Sequence, residues 1–176
     1  MTRSQNGWSV CKDAGSQYLH VWLIPARNGN FSLRIRRGPG GLLLAHLALW
    51  YAETVEKVAG KVLDDWGYAY RPIRGQSTGY SNHASGTAID LNATKHPLAK
   101  VGTFGRGQIP SLRGRLRWAL YGGAIRWGGD YHGRKDEMHF ELVKPVKTVR
   151  PLARALAKTP RGRRLLAVNP SQKEFL

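Results

Sequence analysis

The stretch from Leu42 to Val58 constrains the fold most. It is apolar at helical spacing, gains charge only toward its end at Glu53, Glu56 and Lys57, and follows the break Gly38-Pro39-Gly40-Gly41. Such a pattern predicts a helix that must bury its apolar side chains against the rest of the chain, and Gly60 follows it. The single cysteine, Cys11, excludes an intramolecular disulfide and a cysteine-based metal site, so packing has to hold the chain together. With 176 residues, a hydrophobic fraction of 41% and six Trp, the chain is close to one ordinary domain and long enough for a real core. Its 21 Gly and 9 Pro call for many turns.

Short strand signals surround that helix. Tyr18 to Ile24 is rich in β-formers, Pro25 to Asn30 reads as a turn, and Phe31 to Arg36 alternates apolar and polar, which predicts a hairpin with one packed face. Trp66 to Tyr70, Thr87 to Leu91, Ile125 to Trp127 and Met138 to Val143 read as further strands, and Ser111 to Tyr121 as a helix ended by Gly122-Gly123. Val149 to Ala157 reads as a short basic helix. The expected fold class is α+β, with a mostly antiparallel central sheet and flanking helices. Residues 1–145 are expected to form one domain. Residues 146–176 are set apart as a basic extension, either solvated or docked through Leu152, Leu156, Leu165 and Leu166.

Charge narrows the partners. Lys plus Arg number 28 and Asp plus Glu number 11, a net charge of +17, which draws a chain to nucleic acid, acidic membrane surfaces or anionic wall polymers. No segment approaches the roughly 20 apolar residues of a membrane span, and the N-terminus has no signal-peptide core, so the expectation is a cytoplasmic product that needs release to act outside. No helix-turn-helix, zinc-finger or RNP pattern supports nucleic-acid binding, which stands as the alternative from another functional class.

Two segments carry chemistry: Ser81-Asn82-His83-Ala84-Ser85-Gly86-Thr87-Ala88-Ile89-Asp90 and Asp136-Glu137-Met138-His139-Phe140-Glu141. His83 ends a polar loop, Gly86 lets the backbone turn, and Asp90 then falls on an otherwise apolar strand, where a carboxylate is unfavourable unless paired or metal-bound. His139 sits early in another short strand. Two His and one Asp make a three-ligand catalytic zinc set, with hydrogen-bonded core histidines as the alternative on spacing alone. His20 and His46, without acidic company, read as structural; His96 and His132 lie in loops.

These segments resemble the M15 peptidases, the D-alanyl-D-alanine carboxypeptidase group that shares a zinc fold with Hedgehog proteins. The family pattern S-x-H-x-x-G-x-A-x-D, followed by an acid three residues before a second His, has every element here: Ser81, His83, Gly86, Ala88, Asp90, Asp136 and His139. Tyr68 to Gly75 looks like the family's upstream arginine segment. Trp127-Gly128-Gly129-Asp130-Tyr131 and Met138-His139-Phe140-Glu141 look like the version in endolysins of phages that infect actinobacteria. The resemblance covers roughly residues 18 to 143.

The resemblance implies roles. His83, Asp90 and His139 would bind Zn²⁺; Asp136 would be the general base, with Glu137 as its competitor; Arg71 would hold the scissile carbonyl, with Arg74 as its competitor. Ser81, Trp127, Asp130 and Tyr131 are candidate substrate contacts. The implied activity is that of a monomeric zinc peptidase acting on peptidoglycan, either a phage endolysin or a cellular carboxypeptidase. Its partners would be the wall and its anionic polymers, for which the basic surplus suits it.

Overall fold

The computed structural model describes residues 2–58, 60, 62–73, 75–76 and 78–176. The expected hairpin forms: β1 (Leu19–Ile24) pairs antiparallel with β2 (Phe31–Arg36), Leu19 opposite Arg36 and Ile24 opposite Phe31. Its alternation works as read, with Trp22, Ile24, Leu33 and Ile35 buried and Ser32 and Arg34 exposed.

Helix α1 (Pro39–Thr54) is buried from Pro39 through Ala52, which makes it the centre of the core. It begins three residues earlier than its apolar run because Pro39 suits the first helical position, Gly40 admits Trp8 and Leu142, and Gly41 lets the helix lie on the hairpin. A Cβ on Gly41 would sit 1.8 Å from the Arg36 carbonyl oxygen and 2.4 Å from the Trp22 ring nitrogen. The helix also ends earlier, at Thr54, with the Val55 and Glu56 amides both turning back to the Tyr51 carbonyl. Glu56 is then drawn to His96 (3.0 Å) and Asn92 (2.9 Å).

A second sheet holds β3 (Ala88–Asp90), β5 (His139–Leu142) and β4 (Ile125–Trp127), all antiparallel, with β5 in the middle. The α+β expectation therefore stands with one correction: the strands form two small sheets rather than one central sheet. The segment read as a strand at Trp66–Tyr70 explains the division. It forms no ladder of its own. Trp66 exchanges two backbone bonds with Asp90, Tyr68 N–H donates to the Arg34 carbonyl (2.6 Å), and Ala69 N–H to the His83 carbonyl (3.3 Å). It stitches the hairpin to the second sheet instead of extending either.

Helix α2 (Gln108–Leu116) precedes β4. Beyond residue 145, α3 (Val146–Ala157) and α4 (Pro160–Val168) pack on α1, and Val149, Ala153, Leu156, Leu165 and Leu166 join the same core as Trp22 and Phe140. The helix α4 was not expected, although Thr159-Pro160 signals its start: the Thr159 hydroxyl accepts the Gly162 amide at 3.1 Å and Pro160 opens the first turn. Arg161 and Arg164 of this basic stretch pair with Glu53 of α1 at 3.0 and 2.8 Å. Among the described residues no helix is long and apolar enough to cross a membrane.

Because Leu156 is fully buried against α1, Leu156→Ala should lower stability by about 2–5 kcal/mol in denaturant unfolding. A chain ending at Pro145 should lose cooperative unfolding altogether. An unchanged unfolding midpoint in the shortened chain would show that the last helices only decorate the core.

Candidate metal centre and cleft

His83 reaches its place through a tight 3₁₀ turn (Asn82–Ser85). The Ser81 hydroxyl caps it by accepting the His83 amide (3.3 Å), and Gly86 closes it in the left-handed region at φ 67°. No side chain fits at Gly86, where a Cβ would lie 2.5 Å from Leu19 and 2.8 Å from the Arg36 amide nitrogen. The turn is thus wedged against the hairpin, and His83 is fully buried.

Asp90 ends β3 directly opposite His139 of β5. Three donor atoms converge there: His139 Nδ1 lies 2.8 Å and His83 Nε2 3.3 Å from Asp90 Oδ1, and the two ring nitrogens are 3.1 Å apart. All fall within 4.8 Å of one another, a donor set of two imidazoles and a carboxylate that suits a zinc ion.

The outward atom of each of these side chains is also held. His83 Nδ1 is 2.5 Å from the Gly67 carbonyl, an acceptor only, so the proton sits on Nδ1 and the Nε2 lone pair faces inward. Asp90 Oδ2 accepts the Trp66 indole N–H (2.8 Å). His139 Nε2 faces Glu141 Oε2 at 3.3 Å. Such outer partners fix ring orientation and tautomer at metal sites. Burial favours a neutral Asp90, but His83 and His139 outweigh it and hold the carboxylate far below its usual range. Burial likewise opposes a charged His139, yet its bonds to Asp90 and Glu141 push its pKa up to about 10. A divalent cation among these atoms would supply the positive charge that a proton otherwise brings, so metal and proton compete here.

Glu141 was quoted in its motif but given no role, and the structure makes it a hub. Its carboxylate accepts from Asn82 (2.5 Å), the Tyr131 hydroxyl (2.6 Å) and Arg126 Nε and Nη2 (2.9 and 2.5 Å), besides facing His139. Burial raises its pKa, and His139, Tyr131 and Arg126 more than reverse this. The signal was present: like Asp90, Glu141 is a carboxylate in a short apolar strand, two residues from His139 and therefore on the same face.

His139 opens onto a cleft of about 520 Å³ that Glu141, Arg71, Ser81, Tyr131, Asp136 and Asp130 also line. Arg71 arrives there because its carbonyl accepts the Ser81 amide at 3.2 Å and Pro72 bridges to Tyr80. Asp130 also lines the cleft, with Oδ1 accepting from both Nη2 and Nε of Arg113 (2.8 and 2.9 Å). His132, to which the sequence assigned nothing, lines the cleft as well. Arg74 lies outside the described residues.

One expectation changes with the structure. Trp127 does not line this cleft: it is buried among Phe104 and Phe140, and its indole N–H donates to the Glu137 carbonyl (2.7 Å), supporting the Asp136–Glu137 loop from beneath. Glu137 points elsewhere too, accepting the Gly102 and Thr103 amides at 2.9 Å each and the Thr103 hydroxyl. Of the two neighbouring acids, Asp136 is the one at the cleft. His46, bonded to Tyr121 (2.9 Å) and held near pKa 3 by burial, and His96, bonded to Glu56 and Thr103, sit in separate buried networks.

Residues 74–142 match the M15 peptidase family model described as D-alanyl-D-alanine carboxypeptidase. The match covers less than half of the chain but includes His83, Asp90, Asp136 and His139, and it indicates a peptidase at the family level. Arg71 falls just before it. No curated protein and no solved structure matches the chain.

Glu141→Gln keeps shape and removes charge, so metal affinity should fall by about 10–100-fold with little change in circular dichroism. Glu137→Ala should do the reverse, costing about 1–3 kcal/mol of stability through unmet amides while metal affinity holds. Metal titration and thermal unfolding of both variants check the assignment, and a Glu137 variant that loses metal affinity would undo it.

Proposed function

We propose that the chain is a zinc-dependent peptidase that cuts D-amino-acid-containing peptides of bacterial peptidoglycan, working as a monomeric phage-type endolysin once released to the wall. The observation that carries this reading is the convergence of His83, Asp90 and His139, of which His139 opens onto a cleft also lined by a second acid, Asp136, and an arginine, Arg71. The similarity of residues 74–142 to the M15 model supports it.

His83, Asp90 and His139 would hold the zinc, which when bound supplies Lewis acidity to a carbonyl and activates water at neutral pH. The chain's own residues do the rest. Asp136 takes a proton from the attacking water and returns it to the leaving amine, a task for a carboxylate that is not itself a ligand. Arg71 donates to the scissile carbonyl and to the oxyanion that grows on it. Tyr131 stays protonated, since burial and Glu141 both raise its pKa, and it holds Glu141 in place for His139. Ser81 keeps the His83 turn closed on the cleft's wall.

A cellular carboxypeptidase is the second reading, favoured by the description of the matched family. The two readings differ in product: a carboxypeptidase releases single terminal D-Ala residues, and an endopeptidase opens stems or cross-links.

Elemental analysis should find one zinc per chain, lost in His139→Ala. Asp136→Ala should retain zinc and fold while turnover falls by about 10²–10⁴-fold. Arg71→Ala should lower kcat with zinc retained. Mass spectrometry of purified wall digested by the protein identifies the bond, and a zinc-loaded chain that releases no peptide or D-Ala from it would end the peptidase reading.

A further inference from the structure

A second concavity, of about 540 Å³, is as large as the cleft and has a different chemistry. Arg3, Arg36, Arg37 and Arg150 line it, and no acidic side chain does among the described residues. Several arginines elsewhere find carboxylates, Arg126 with Glu141, Arg113 with Asp130, and Arg161 and Arg164 with Glu53, while Arg115 stacks on Trp118 instead. Arg36 likewise stacks over Trp8 (5.4 Å) and Tyr18 (4.7 Å), with Nη1 turned to the Ser9 and Ser85 carbonyls. Arg37 stacks over Phe175 (4.7 Å), and its buried Nε–H meets no acceptor among the described residues. The first turn of α3 adds its N-terminal end at Val146, with no acid in that turn and no side-chain cap. Guanidinium groups held in place by aromatic faces, an unmet N–H and a helix N-terminus present one kind of surface, that of a site for a phosphate-sized anion.

We propose that this pocket is a second binding site that takes phosphodiester groups of an anionic wall polymer such as a polyol phosphate. The wall as the source of the phosphate rests on the proposed function; the phosphate chemistry does not. A polymer without bases fits better than nucleic acid. Single-stranded nucleic acid uses bare aromatic faces for stacking, whereas Trp8 is only 8% exposed and the guanidinium groups of Arg36 and Arg37 lie over the rings of Trp8, Tyr18 and Phe175. The pocket also borders the catalytic region. Asn6 lines it while donating its backbone N–H to Asn82 Oδ1 (3.0 Å), and the preceding residue, Gln5, lines the cleft.

Calorimetric titration of the whole chain with a short glycerol-phosphate oligomer, at about 0.15 M ionic strength where diffuse attraction is screened beyond ~8 Å, tests this. Arg150→Gln and Arg37→Gln should each weaken binding by about tenfold, the worth of one charge-assisted arginine–phosphate contact. Arg106→Gln, which removes the same charge from an exposed loop, should leave binding within about twofold, since a screened distant charge contributes little. Arg150 is exposed, so that variant should unfold at the parental midpoint and keep the test open if Arg37→Gln is unstable. Equal weakening in all three variants, or no binding by the parent, would overturn the site. So would tighter Arg150-dependent binding to single-stranded DNA of equal phosphate number. A chain that binds the oligomer through Arg150 yet cuts no peptide leaves this site standing and removes the peptidase reading alone.

Discussion

The pairing of Asp90 with His139 across β3 and β5 organises the rest of the molecule. Strands of three and four residues carry few ladder bonds, and a slip of one residue would turn every side chain to the opposite face. Here the register puts Asp90, His139 and Glu141 on one face and Ile89, Phe140 and Leu142 on the other, where the last three are fully buried. The core therefore holds the register, and the register holds the polar cluster. On the free edges Trp66 pairs with Asp90 and β4 with β5, so neither short strand depends on one neighbour.

That cluster is unfavourable for folding on its own. Three titratable side chains at 7% exposure or less have left water, and their mutual attraction repays the desolvation only when the remaining donors and acceptors are met. The Gly67 carbonyl, the Trp66 indole and Glu141 meet them. The same partners that make the burial tolerable also aim three donor atoms at one point, so stability and site geometry have a common origin. Around them the apolar helix α1 receives the hairpin on one side and α3 and α4 on another, a core that needs no disulfide.

Charge is distributed unevenly for a related reason. The chain has 11 acids against 28 Lys and Arg, and several of the acids serve the site or bind neighbouring arginines. Among the described residues, the Arg36–Arg37 pocket is one place where that basic surplus gathers with no acidic side chain in the lining. Part of the C-terminal charge that looked free in sequence is engaged, since Arg161 and Arg164 reach Glu53.

Local order made much of this legible in the sequence. Alternation specified the hairpin, apolar spacing specified α1, and a polar turn with Gly86 followed by a carboxylate on an apolar strand singled out His83 and Asp90. What lay beyond reach depends on contacts between distant residues. Asp90 and His139 are 49 positions apart, and only their strand pairing joins them. The pattern's spacing favoured Asp136 over its neighbour Glu137 without giving a physical reason; the loop at Gly102–Thr103 claims Glu137 with three donors, and Asp136 lines the cleft. Trp127 looked like a cleft residue and became core, because Phe104 and Phe140 close over it. Trp66 to Tyr70 has strand composition, yet its backbone bonds were spent between two sheets rather than within one. The sequence by itself determined which side chains can act as donors and which segments can be strands or helices, because those follow from residue type and nearest neighbours. Tertiary structure decided which donors meet and which acid lines the cleft, and it gathered the arginines of the second pocket where no acidic side chain lines it among the described residues. Those outcomes depend on what the packed core brings alongside each group.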